Sequence, residues 1–164
     1  MWTAFILAFS LTAAAGDLVS RKIPRILTTA GIGIGLLHHL VHGNVGTALL
    51  AAALGFAVGL PLFALGAIGG GDVKLIAALG ALLGFQRWVM AMEMAVFAAG
   101  LLALLLVIRQ GRLAATLKNM KEIAFWLASG GKHPQPARED KAQGWGAPFG
   151  VAAALATWIV VLGL

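Results

Sequence analysis

Residues 66–75 read Gly66-Ala67-Ile68-Gly69-Gly70-Gly71-Asp72-Val73-Lys74-Leu75. A glycine cluster here delivers one carboxylate between two apolar runs. Irregular backbone at membrane depth is tolerated only where it is buried in protein or lines a water-filled cavity. An ionisable group at such a boundary is costly, so it marks a functional site by default. One other acid has a comparable setting: Asp17, at the end of the first apolar run and just before Arg21-Lys22-Ile23-Pro24. The expectation is that Asp17 and Asp72 meet on one face of a membrane and activate water between them.

The rest of the composition agrees with a membrane chain. Of 164 residues, 60% are hydrophobic and 11% charged, and the mean hydropathy is +0.93. A soluble domain carries about 25% charged residues. The expected class is all-α, a polytopic membrane protein with six transmembrane helices in one membrane-embedded domain over residues 1–164. The apolar runs are long and do not alternate, which argues against a β-barrel. With no cysteine, disulfides, thiol catalysis and cysteine-ligated zinc are excluded. The net charge of +6 fits cytoplasmic loops better than nucleic acid, since no basic-aromatic repeat is present. Gly69-Gly70-Gly71-Asp72 lacks the closing Gly-Lys-Ser/Thr of a phosphate-binding loop.

Outward from the glycine cluster, spans are expected at about 2–19, 26–41, 47–68, 73–85, 88–108 and 148–163. The first lacks the basic n-region of a signal peptide and is read as uncleaved. As a helix it reaches about 27 Å, just enough for the hydrocarbon core. Pro24 pre-sets the start of the second span, where its missing N–H costs nothing. Gly31, Gly33 and Gly35 give that span a small face for close packing. Pro61 is expected to kink the third. His38, His39 and His42 close the second span, and they read either as an interfacial polar cap or as metal ligands. No nearby carboxylate or cysteine completes a metal site, and no metal is assigned. Gln86-Arg87 is expected to be a short loop. Within 109–147, Leu113, Leu117, Met120, Ala124 and Leu127 share one helical face, which fits an amphipathic helix lying in the interface. Ser129 to Gly146 reads as a flexible loop.

The basic residues orient the chain. Arg21, Lys22, Arg25, Lys74, Arg109, Arg112, Lys118, Lys121, Lys132, Arg138 and Lys141 fall on one side of six spans, and only Arg87 on the other. The positive-inside rule makes the first side cytoplasmic and places both termini outside. It also puts Asp17 and Asp72 on the cytoplasmic side at similar depth.

Two carboxylates sharing a site do not both ionise cheaply, so such a pair holds one proton between them. One can then take a proton from water while the other gives one to a carbonyl oxygen. That is general acid–base hydrolysis of an amide, with no covalent intermediate and no cofactor. The glycines let backbone approach a substrate strand closely. Lys74 reads as a group acting on a carboxylate, as a lipid-phosphate ligand, or as a residue snorkelling to the interface. The other reading of the acids is a small ion- or proton-translocating subunit with Asp17, Asp72 and Glu93 as a relay.

These residues also carry a resemblance. Gly69-Gly70-Gly71-Asp72 followed by Val73-Lys74-Leu75 resembles the GxGD signature of type IV prepilin peptidases. Asp17 with the basic stretch and Ile23-Pro24 resembles that family's first aspartate motif, and Pro148-Phe149-Gly150 its Pro-Phe/Tyr-Gly segment. The resemblance implies an integral-membrane aspartic endopeptidase that removes the basic leader of prepilins or pseudopilins, after a glycine, at the cytoplasmic face of the cell's inner membrane. Asp17 and Asp72 would be the catalytic pair. Gly69, Gly70, Gly71, Lys74, Pro24, Pro148 and Gly150 would shape the site or bind substrate. The implied partners are the prepilin, membrane lipid and the machinery of pilus biogenesis and protein secretion, with no nucleic acid. The chain is similar to the short form associated with Flp or tight-adherence pili, without the cysteine-containing domain of long bifunctional members. Arg25 departs from the pattern, since relatives usually carry a small polar or acidic residue there. Its expected effect is on leader or lipid contacts more than on the chemistry.

Overall fold

The computed structural model describes residues 1–20, 23–64, 68–111, 113–129 and 149–163. Their regular structure is helical: α1 (Trp2–Ser20), α2 (Arg25–Val41), α3 (Val45–Ala64), α4 (Gly70–Leu83), α5 (Phe85–Arg109), α6 (Leu113–Ala128) and α7 (Phe149–Leu162). Three of these, over Trp2–Val19, Val45–Ala64 and Phe85–Arg109, are long and apolar enough to cross a membrane, while α2 and α7 are shorter apolar helices. The chain forms two compact units, Met1–Ala99 with Pro148–Leu164, and Gly100–Ala147.

In the first unit, α4 is the inner helix. Val73 and every residue from Leu75 to Leu83 are buried, packed mainly against α2 and α3. Small residues allow this. A Cβ at Gly35 would lie 2.6 Å from the Ala81 carbonyl, one at Gly80 2.7 Å from Ala51 backbone, and one at Gly55 3.0 Å from Ala77 Cα. Such contacts supply the dispersion energy that holds helices together when lipid removes the hydrophobic drive. The α2–α3 connection is tight. Gly43 takes φ 77°, and the Asn44 N–H donates to the His39 carbonyl at 2.8 Å.

The other pairing is α1 against α7. The Trp158 indole N–H donates to Ser10 Oγ at 3.0 Å, joining the two helices inside an otherwise apolar contact. Phe9 ties α1 to α2, its ring occupying the place where a Gly31 side chain would stand. Ile6, Phe9, Ala13, Leu75, Leu79, Leu82, Trp88 and Ala153 belong to one core. Outward faces stay apolar, with Phe97 76% and Val41 75% exposed, as lipid rather than water would permit.

Several boundaries differ from expectation. Helix α4 starts at Gly70, not Val73, so Gly70, Gly71 and Asp72 form its first turn. Helix α3 starts at Val45 rather than Thr47, and Pro61 lies inside it. No loop forms at Gln86-Arg87. The break is Gly84 alone, at φ 72°, and α5 begins at Phe85 with the Trp88 indole donating to the Ile76 carbonyl at 3.0 Å. Pro24 stands at the N-cap of α2, one position earlier than expected.

The second unit contains α6. Leu113, Leu117 and Met120 lie exposed along it. Most of the anticipated flexible loop, residues 130–146, lies outside the described residues.

Candidate active site

Asp72 is positioned by its own helix. As the third residue of α4 it turns back, and the Gly69 N–H donates to its Oδ2 at 2.8 Å. The Asp72 N–H in turn donates to the Gly69 carbonyl at 3.1 Å. This is the side-chain half of a capping box, and glycine at the N-cap leaves the other half to backbone. A Cβ at Gly69 would stand 3.1 Å from Asp72 Oδ2.

Asp17 is positioned by a different helix. It lies on the last turn of α1, 9% exposed. Its Oδ2 accepts the Gly150 N–H at 2.8 Å. Gly150 is in the first turn of α7, where backbone N–H groups lack intrahelical partners and the helix dipole favours an anion. The approach admits no side chain. A Cβ at Gly150 would fall 2.9 Å from both Cβ and Oδ2 of Asp17.

Both aspartates line one cavity of about 730 Å³. Ile23, just before α2, lines it as well. Ile23 is buried, and a Cβ at Gly71 would lie 3.4 Å from its Cβ. Gly69, Gly70 and Gly71 form one wall with Asp72 and Lys74. Phe56, Leu60 and Phe63 form an apolar wall from α3. Their i, i+4, i+7 spacing puts them on one helical stripe, and that spacing is the signal that could have found them in the sequence. Arg25 also lines the cavity.

The remaining expected residues divide. Gly150 supports Asp17 from behind and does not line the cavity. Pro24 is exposed and stands at the N-cap of α2. Pro148 lies outside the described residues. Glu93 is exposed on α5 and is not part of the cavity wall. His38, His39 and His42 lie at the other end of α4, where His39 Nε2 is 3.3 Å from the Leu82 carbonyl. His38 is stacked between Trp2 and His42, at 3.6 and 4.2 Å between ring centroids. Asp72 is the third residue of α4, which ends at Leu83, so that end is about 16 Å from it along the helix. No group of three or more metal-binding side chains occurs among the described residues.

Asp17 and Asp72 thus share one cavity, each accepting a backbone N–H, and carboxylates are among the groups that general acid–base chemistry uses. Comparison with known proteins points the same way. The model of the type IV leader peptidase family matches residues 4–108, a stretch that includes both aspartates and the glycine cluster. No curated protein and no solved structure matches the chain.

Proposed function

The chain belongs to the type IV leader peptidase family, and on that premise we propose that it is an intramembrane aspartic endopeptidase cutting the leader from prepilin-like substrates. The observation that carries the proposal is the presence of Asp17 and Asp72 on one cavity. One carboxylate takes a proton from a water held between them. The resulting hydroxide adds to the scissile carbonyl carbon while the other carboxyl protonates the carbonyl oxygen. The C–N bond then breaks as one carboxyl gives its proton to the amide nitrogen and the other carboxylate takes a proton from a gem-diol hydroxyl, which restores the singly protonated pair. Atoms balance without a cofactor or a covalent intermediate.

The proposed setting is a six-span chain in the cell's inner membrane with both termini outside and the site at the cytoplasmic face. The support is the distribution of Lys and Arg. Helix α6, with its exposed apolar stripe and Lys118 and Lys121, is proposed to lie along the membrane interface. The substrate's apolar helix would share the bilayer, which raises its effective concentration. Pilus biogenesis and secretion are the processes that such a substrate class serves. The relay reading loses ground because Glu93 is not on the cavity.

Co-expression with a candidate prepilin tests the proposal. Leader removal, read by mass, is expected with the wild-type chain and is lost with Asp17→Asn or Asp72→Asn while the protein still inserts. A variant that processes the prepilin at near wild-type rate would remove the paired mechanism.

A further inference from the structure

At the end of the bundle away from the aspartates, rings that the chemistry does not use are stacked together. His38, on the last turn of α2, lies between Trp2 at the start of α1 and His42, with centroids 3.6 and 4.2 Å apart and planes 6° and 22° from parallel. The His42 ring donates from Nδ1 to the His38 carbonyl at 2.7 Å, which holds its face against His38. His39, edge-on to His38, donates from Nε2 to the Leu82 carbonyl at 3.3 Å and ties α2 to the end of α4. Trp2 and Asp17 stand at opposite ends of α1, and Leu82 and Asp72 at opposite ends of α4.

This stack tolerates one proton but not two. A single cation is favoured by the Trp2 ring face and by the carbonyl end of α2. A second puts like charges on rings 4.2 Å apart. It also gives His38 a charged Nδ1–H without an acceptor, since that nitrogen is buried and has no partner among the described residues. The other charged or titratable groups at this end are the Met1 amino group before α1, His39 on α2 and Arg87 on α5, and none is an anion. Helices α3 and α7 carry no charged residue, and α4 carries none after Lys74. Glu93 stands about two turns into α5, and the Leu164 chain end lies outside the described residues.

We propose that the Trp2–His38–His42 stack is an acid-sensitive latch that holds the α1–α7 pair on the α2–α3–α4 bundle. Neutral or singly protonated, it is closed. A second proton drives His38 out to water and releases Trp2. The closed stack binds fewer protons than the open one, so acid favours opening. Helix α1 packs mainly on α7 and touches α2 and α4 sparingly, with Phe9 against Gly31 as a second tie. Helix α7 moves with α1, because Trp158 bonds Ser10 and Gly150 bonds Asp17. Opening lets the pair tilt about Phe9 and carries Asp17 away from Asp72. In the proposed topology the latch faces the outside medium, so acid there slows a reaction at the inner face. The latch itself stands without the peptidase reading; its effect on cleavage rests on that reading.

The experiment uses the purified full chain in detergent, labelled with fluorinated tryptophan and read by fluorine NMR. The chain has five tryptophans, and the resonance missing from Trp2→Phe belongs to Trp2. Between about pH 7.5 and about pH 5 that resonance is expected to move to the position of an unstacked indole, the range in which histidine clusters switch. His38→Gln should shift it already at about pH 7.5 and leave it insensitive to acid. His42→Gln removes the second charge, so Trp2 should stay stacked at about pH 5. Prepilin cleavage by His42→Gln should equal wild type at about pH 7.5 and exceed it about tenfold at about pH 5, the scale of a modest displacement of one aspartate. The aspartates' own titration is common to both chains and cancels in the ratio.

A Trp2 resonance that stays in place on acidification overturns the inference and leaves the peptidase reading intact. So does a movement that is the same in His42→Gln, which traces it to some other group. Opening of the stack with equal cleavage by the two chains at both pH values overturns the link to the active site. A wild-type chain that cuts no prepilin at either pH overturns the peptidase reading and the effect on cleavage, and the resonance alone then decides the latch.

Discussion

Asp72 is held by a residue three positions away, and Asp17 by a residue 133 positions away. The first sits in a bundle of α2, α3 and α4 where glycines let backbones touch. The second sits on the α1–α7 pair, and its support arrives from the far end of the sequence. Both arrangements present a carboxylate at a helix N-terminus, and both use a glycine to do so. They differ in what fails when they are disturbed. The Asp72 turn is rebuilt whenever α4 forms, because its capping bond is local. The Asp17 support exists only when α7 is docked on α1.

The largest effects should fall on the two acids alike. Asp17→Asn and Asp72→Asn each keep an oxygen to accept the backbone N–H, so folding should be unchanged. Leader cleavage should drop about a thousandfold or more, since the general acid–base pair is lost. Assaying purified variants against one prepilin checks this, and unequal losses would show that the acids do not act as a unit.

The supporting glycines should separate the two regions. Gly150→Ala pushes Asp17 away, and a displacement of that order costs about a hundredfold in kcat. Gly69→Ala should lose much less, because the extended N-cap backbone at φ −80° and ψ 155° accepts alanine and the contact is longer. Equal losses would mean that Gly150 is a spacer with no special role at Asp17.

Packing differences come next and are read as thermal stability in detergent. Gly35→Ala meets Ala81 backbone and should cost about 1–3 kcal/mol. Gly33→Ala, on the same helix with nothing within 4 Å, should be neutral or stabilising by helix propensity. On the α1–α7 side, Ser10→Ala removes the partner of Trp158 and should cost about 0.6 kcal/mol, the average for such bonds in a membrane bundle. The smallest expected effect is at Glu93. Glu93→Gln should leave cleavage essentially unchanged, and a large loss would revive the relay.

The same local–distant contrast explains what could be read from the sequence. The glycine cluster, Asp72 and the all-helical membrane class were legible because each depends on composition or on neighbours. Asp17 was legible as a costly charge at the end of an apolar run. The α4 boundary was misplaced because glycine's poor helix propensity reads as loop, whereas here Asp72 caps the turn and tertiary contacts bury the rest of the helix. Gln86-Arg87 misled for a related reason, since two polar residues resemble a turn while a single glycine at positive φ supplies the real one. Gly150 beside Asp17 and Trp158 on Ser10 pair positions too distant for any local pattern to show. Arg25 in the cavity depends on where α2 begins relative to α4, which only the folded chain reveals.

The chain contains no cysteine, so a pair of introduced thiols can be read without background. The most direct measurement is to make the Asp17→Cys, Asp72→Cys double variant, treat it in membranes with a short bis-maleimide, and weigh the protein. The account predicts one bridging reagent per chain, joining the two positions. Two separately capped thiols, one reagent on each, would contradict it.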